Sequence, residues 1–222
     1  MELIDYRIYS GMRNMQIDEE LLNESIMHNR KKGLYRLYGW APVCISIGRN
    51  QSLKFINKEI LSKYGIDCVK RLTGGRALLH DNELTYSCVV PVSTLKHGEN
   101  ILNSYKEISG IWIEIFKKFG ITLTIGGMPK HITKSDYCMT ISTGADLCYM
   151  GKKLIGSAQY RKSGYILQHG SILFDYNETL INTVFGGAQD FSSIIALKQI
   201  NPELTLNDVI QAAKEYITRL VW

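Results

Sequence analysis

Hydrophobic and polar positions follow two periods along this chain, and the switches between them mark out its elements. Over residues 17–29, Ile17, Leu21, Leu22 and Ile26 share one helical stripe, and Asp18, Glu19 and Glu20 sit near the expected start, where acids suit the helix dipole. Residues 34–38 and 43–47 read as strands around a Gly39-Trp40-Ala41-Pro42 turn. A short helix over 54–63 is stopped by Gly65, and a strand over 66–71 runs into the Gly74-Gly75 loop. Residues 77–80 and 84–92 are expected to pair antiparallel across Asp81-Asn82. The clearest helix spans 102–119, because Tyr105, Ile108, Trp112, Ile115, Phe116 and Phe119 recur at helical spacing before Gly120; that stripe is expected in the core.

Short strands are expected next at 121–125, 137–142, 147–150, 154–160 and 165–174, with Gly151-Lys152-Lys153 as a tight turn, and a last helix at about 206–220. The order of elements gives an α+β fold with a central mixed, largely antiparallel sheet flanked by helices. No repeat or low-complexity linker divides the 222 residues, so one domain over 1–222 is expected. The chain stops at Trp222 without a polar tail, as it would if a small C-terminal region were shortened.

Composition narrows the class without naming a function. With 45% hydrophobic and 21% charged residues the chain is ordinary globular material, which excludes disordered and fibrous classes. Acids near Met1 and the lack of any apolar run of about 20 residues argue against a secretory leader or membrane span, so a cytoplasmic protein is expected. The net charge of +5 comes from scattered lysine pairs without interleaved aromatics, so no nucleic-acid partner is expected; the charge suits an acidic protein partner instead. Five cysteines with no Cys-x-x-Cys and no Cys/His cluster suggest reduced thiols and no metal site.

Two segments concentrate chemistry. In Arg71-Leu72-Thr73-Gly74-Gly75-Arg76-Ala77-Leu78-Leu79-His80, paired glycines let backbone N–H groups approach a ligand, or simply make a β-turn; His80 alone reads as a structural histidine. The segment is neither a Walker loop nor a dinucleotide fingerprint. In Gly151 to Gln159, small residues at Gly156, Ser157 and Ala158 leave a strand face bare, fit for a pocket wall or for close sheet packing. Lys153 beside them reads either as a point charge for a thiolate or as a solvated turn lysine. Cys44, Cys68, Cys88 and Cys148 lie in apolar strand contexts and are expected to be buried small hydrophobes, whereas Cys138 follows the polar stretch 131–136. A nucleophilic thiol needs partial exposure and a nearby cation, which makes Cys138 the candidate.

Taken together these residues resemble the biotin/lipoate protein ligase superfamily, and within it the octanoyltransferases of the LipM type. The resemblance rests on Arg71-x-Thr73-Gly74-Gly75-Arg76-Ala77-x-Leu79-His80-Asp81 and on Gly151-x-Lys153-x-x-Gly156-Ser157-Ala158-Gln159. It extends from Asn14-Met15 and Asp18-Glu19 through Tyr38-Gly39-Trp40 to Gln168-His169-Gly170-Ser171. It implies the biotin/lipoate ligase catalytic-domain fold and a reaction without cofactor or ATP. Cys138 would take an octanoyl group from acyl carrier protein as a thioester and pass it to a lysine of a lipoyl domain, typically the glycine-cleavage H protein. By the same resemblance Lys153 holds the acyl carbonyl. Arg71, Gly74, Gly75, Arg76, His80, Gly156, Ser157, Gln159, His169 and Gly170 are expected to bind substrate. Arg76 stands where ATP-dependent ligases have a third glycine, and Gly48-Arg49-x-Gln51 resembles a ligase element. An ATP-dependent lipoate-protein ligase and an amidotransferase acting between lipoyl domains therefore remain as alternatives.

Overall fold

The computed structural model describes residues 1–126, 137–139 and 145–222. In chain order its elements are β1 (Glu2–Tyr9), α1 (Gly11–Met27), β2 (Leu34–Trp40), β3 (Cys44–Ile47), α2 (Lys58–Tyr64), β4 (Asp67–Lys70), β5 (Leu78–His80) and β6 (Glu83–Pro91). They continue as α3 (Ile101–Lys117), β7 (Thr124–Ile125), β8 (Leu147–Tyr149), β9 (Lys152–Lys162), β10 (Tyr165–Leu173), α4 (Glu178–Phe185), α5 (Leu197–Ile200) and α6 (Leu206–Ile217). Seven strands form one sheet in the order β1-β2-β6-β10-β9-β8-β7, and three form a second in the order β4-β3-β5. Among the described residues only the β1–β2 and β3–β4 strand pairs are parallel, so the sheet system is mixed and largely antiparallel, flanked by helices, as the sequence implies.

The central strands β2, β6 and β10 are buried along their whole length, so the alternation of side chains separates two kinds of interior rather than inside from outside. On one face Tyr35, Leu37, Leu84, Tyr86, Ile166 and Ile172 pack against the stripe Ile108, Ile111, Trp112, Ile115 and Phe116 of α3 and against Val209, Ala213 and Ile217 of α6. On the other face two rungs of aligned residues cross the sheet: Arg36, Ser87, His169 and Ala158, then Tyr38, Thr85, Ser171 and Gly156. A third, apolar rung of Leu34, Val89, Leu167 and Tyr160 borders them and meets Leu21, Leu22 and Ile26 of α1.

Helix α1 is wedged between the two sheets. Ser10 caps it, its side chain accepting from the Arg13 N–H, so the helix begins six residues before the sequence pattern suggests. Asp18 is therefore two turns inside rather than at the positive end. The buried stripe is Gly11, Asn14, Asp18, Leu22 and Ser25, and the apolar pattern points to Leu22 alone of these and conceals the three polar ones.

A second departure concerns β5 and β6. They do not pair across Asp81-Asn82: β5 joins the small sheet beside β3, and β6 lies between β2 and β10 in the large one. The chain thus changes sheets at Asp81-Asn82, which sets His80 and Glu83 facing each other at 2.6 Å. β1 was not foreseen at all; its exposed and half-buried residues leave no clean alternation to read. Among the described residues no helix is long and apolar enough to cross a membrane.

Trp112, fully buried between Tyr86 and Phe116, anchors α3 to the sheet. Trp112→Ala is expected to lower the stability measured by urea unfolding by about 3–5 kcal/mol, the range for truncating a large buried aromatic.

Candidate functional site

A cavity of about 650 Å³, counted out to its mouth, lies between the two sheets, walled by the large sheet's polar rungs, by Ser46, Leu78 and His80 of the small one, and by Met15 of α1. Cys138, Lys153, Arg71, Gly75, His80, Gly156, Ser157, His169 and Gly170 all line it. Gly74, Arg76 and Gln159 are not among its lining residues. The first two contribute backbone carbonyls that accept from Arg71, while Gln159 points into the other face of the sheet, donating to Gln168 at 2.7 Å.

Cys138 is held by its neighbours. Tyr137 forms a parallel bridge with Ala77 and packs its ring 4.9 Å from that of Phe185, Met139 is buried, and the Cys138 N–H donates to the Ala77 carbonyl at 2.7 Å. Between these anchors the Cys138 side chain is half-buried on the cavity wall. The expected strand over 137–142 appears as this bridge, and residues 140–142 fall outside the described residues. Among the other thiols, burial pushes those of Cys44 and Cys88 far above the usual range. Cys68 is exposed rather than buried, because β4 is an edge strand and Cys68 faces away from α1; desolvation and the adjacent Asp67 raise its pKa as well.

Lys153 is not a turn residue. The turn is made by Met150 and Gly151, both at positive φ, and Lys153 lies inside β9, aligned with Cys148 and almost fully buried. Its ammonium lies 3.2 Å from an Asp146 carboxylate oxygen and donates to the Cys138 carbonyl at 3.2 Å. Burial alone would push the ammonium's pKa down, but the negative charges of Cys138 and Asp146 outweigh it, and the pKa stands above that of a free lysine. Gly156 makes this placement possible. A Cβ there would lie 2.8 Å from Lys153 Cε and 3.1 Å from Nζ, so the lysine chain folds across bare backbone.

Between the sheets runs a hydrogen-bonded network the sequence reading did not assemble. Asp18 accepts from Arg36 at 3.0 Å, Tyr38 at 2.9 Å and Ser87 at 2.8 Å, and lies 3.2 Å from His169 Nδ1. Glu83 accepts from Thr85 at 2.5 Å and from Ser171, and lies 2.6 Å from His80 Nδ1. Trp40 donates to Thr85 at 2.8 Å and stacks on His80 with ring centroids 3.8 Å apart. The available signal was period-2 polarity within β2 and β6 and the i, i+4 pair Asn14 and Asp18, both of which place polar side chains on buried faces.

The family description "Lipoyl protein ligase A/B catalytic domain" matches residues 10–218. The chain belongs to that family. Curated relatives include the protein named octanoyltransferase LipM of Carboxydothermus hydrogenoformans, 39% identical over 77% of this chain and 63% of its own length. The LipM of Macrococcus caseolyticus is 42% identical over 72% of this chain and 60% of its own. The chain thus spans a little over three fifths of these relatives, and 76% of a third, 33% identical, from an Exiguobacterium. Among solved structures, a lipoate-protein ligase A bound with ATP superposes with a TM-score of 0.76 at 17% identity, over 98% of this chain and 83% of that one. A lipoate protein ligase of T. acidophilum with bound lipoic acid gives 0.73 at 16%, over 98% and 84%. These two likenesses establish that the chain has the lipoyl protein ligase fold.

Within that fold His169 makes stability depend on pH. Burial lowers its pKa below 6.5, and the hydrogen bond to Asp18 only partly opposes this. Below about pH 6.5 the unfolded chain therefore holds a proton that the native site refuses, and stability falls as pH falls. Asp18, kept below 3.8 against burial by His169 and Arg36, adds a second loss in the same direction at lower pH. His169→Gln, which retains one donor and one acceptor, is expected to flatten the first step. Urea unfolding between pH 5 and pH 8 would show it, with a wild-type slope of at most about 1.4 kcal/mol per pH unit for this one proton.

Proposed function

We propose that this protein is an octanoyltransferase that works through a thioester on Cys138. The observation that carries the reading is that Cys138 and the buried ammonium of Lys153 line one cavity within this fold. The name shared by the LipM relatives supports it. The donor is octanoyl-acyl carrier protein, and the acceptor is a lysine of a lipoyl domain, such as the glycine-cleavage H protein. The setting is cytoplasmic, and neither nucleic acid nor a membrane takes part.

In the first half-reaction the Cys138 thiolate attacks the thioester carbonyl carbon, a new C–S bond forms, and the carrier thiol leaves with the electron pair of the old one. The Lys153 ammonium faces the negative charge that develops on the carbonyl oxygen. Acylation then removes the charge of the sulfur, one of the groups that keep Lys153 protonated. Burial is left less opposed, so Lys153 gives its proton to the departing carrier thiolate and, now neutral, can accept one from the acceptor amine. That amine attacks the acyl-enzyme, the amide forms, and the Cys138 thiolate is restored. Carrier domains supply the acyl group already activated, so no ATP is consumed.

Intact-mass measurement after incubation with octanoyl-acyl carrier protein is expected to show one octanoyl adduct that hydroxylamine removes and that Cys138→Ser abolishes. An adduct surviving in Cys138→Ser, or none in the wild type, would reject the thioester mechanism. Octanoyl-AMP formed from free octanoate and ATP would instead identify a ligase. Lys153→Met should slow acylation by about 10²–10³-fold, the usual loss of one preorganised oxyanion partner. Gly156→Ala should slow it by more than about tenfold, equivalent to about 1.4 kcal/mol, by displacing the Lys153 chain.

A further inference from the structure

Arg71 was expected to bind substrate, but its hydrogen bonds leave it no free hand to do so. Its Nε donates to Thr73 Oγ1 at 3.1 Å. Nη1 donates to the Ser46 carbonyl at 2.9 Å and to Ser46 Oγ at 3.0 Å, and Nη2 to the Gly74 and Arg76 carbonyls at 2.9 and 2.7 Å. A guanidinium has five N–H donors, and all five are taken by the protein.

Two of the acceptors are hydroxyls, and each stands against a histidine. Thr73 Oγ1 is 2.6 Å from His169 Nε2, and Ser46 Oγ is 2.7 Å from His80 Nε2. A carboxylate faces Nδ1 of each ring and calls for the ring proton there: Asp18 Oδ2 at 3.2 Å from His169 and Glu83 Oε1 at 2.6 Å from His80. Nε2 is then an acceptor, and each hydroxyl, which accepts from Arg71, has its own proton free to give to it. Every donor meets an acceptor along both arms, and the reverse tautomer would set two donors or two acceptors face to face in each.

We infer that Arg71 is a positioning residue that, through the hydroxyls of Ser46 and Thr73 and together with the carboxylates of Glu83 and Asp18, fixes the tautomers of His80 and His169, and that it donates no hydrogen bond to the substrate. The same guanidinium sets the Gly74-Gly75 loop through the Gly74 and Arg76 carbonyls, so one side chain governs the loop and both cavity histidines. The inference stands on the hydrogen-bond geometry and holds whether or not Cys138 is the nucleophile.

Nitrogen-15 imidazole spectra of the full chain at pH 8, assigned with His80→Gln and His169→Gln, test it. In the wild type both rings should be protonated on Nδ1 and unprotonated on Nε2, and the Arg71 Nε–H should exchange slowly with solvent. Thr73→Val should alter the pattern of His169 alone and speed exchange of the Arg71 Nε–H, while Thr73→Ser keeps the wild-type pattern. Ser46→Ala should alter His80 alone, and Arg71→Lys should alter both rings. If Arg71→Lys does not fold, Arg71 Nε–H exchange in the two valine and serine variants of Thr73 decides the matter. Either ring protonated on Nε2 in the wild type would overturn the inference, as would hydroxyl variants that leave both rings unchanged or a folded Arg71→Lys with wild-type tautomers.

Discussion

Between the two sheets this protein buries six charged side chains among the described residues: Arg36, Arg71 and Lys153 against Asp18, Glu83 and Asp146. Taking such groups out of water carries an effective penalty of several kcal/mol per ion, so the layer can exist only if every charge is met. Two pairs meet directly, Arg36 with Asp18 at 3.0 Å and Lys153 with Asp146 at 3.2 Å. Arg71 and Glu83 are joined instead through Ser46 and His80. This requirement explains why α1 turns a polar stripe inward and why three adjacent strands present Arg36, Ser87 and His169 on one rung. Asn14, Asp18, Arg36, Ser87 and His169 are each the partner of a charged or polar group contributed by another element.

The parts of the fold legible in the sequence are those where burial is one-sided. Helix α3 was readable because Ile108, Trp112, Ile115 and Phe116 contrast with polar neighbours at a helical period. Strands β9 and β10 were readable from their apolar runs and the turn glycines beside them. Where both faces are buried, the contrast disappears. Helix α1 was placed on its apolar stripe because Asn14 and Asp18, although buried, look like surface residues. The β5–β6 hairpin failed for another reason: Asp81-Asn82 has the composition of a hairpin turn, and nothing local distinguishes a turn that returns to the same sheet from one that crosses to a second.

The candidate site was partly legible in the same sense. Residue types suited to chemistry at Cys138 and Lys153 could be singled out, and the structure brings them to one cavity. Their environment could not be read locally, since Asp146 reaches Lys153 only through the β8–β9 turn and its bulge. Thr73, Ser46, Glu83 and Asp18 come from four separate stretches of chain, and only the sheet crossing between His80 and Glu83 brings their network together.

The same saturation shapes what the cavity can accept. Its wall is rich in polar residues, yet Tyr38, Trp40, Ser46, Thr85 and Ser171 each spend their side-chain hydrogen bonds on another protein group, as do both histidines and Arg71. A ligand bringing its own donors and acceptors into this layer would have to break one of these bonds or leave its groups unpaired, at about 1–3 kcal/mol for each. A hydrocarbon tail incurs no such loss and gains burial against Met15, Leu78, Met139 and Ala158. A wall whose polar atoms are all engaged with one another is therefore apolar in effect. The Lys153 ammonium, which donates to the Cys138 carbonyl on the same cavity wall, is placed instead to meet developing charge. A saturated wall for a chain, with the Lys153 ammonium at one end of it, is the arrangement on which the proposed acyl transfer rests.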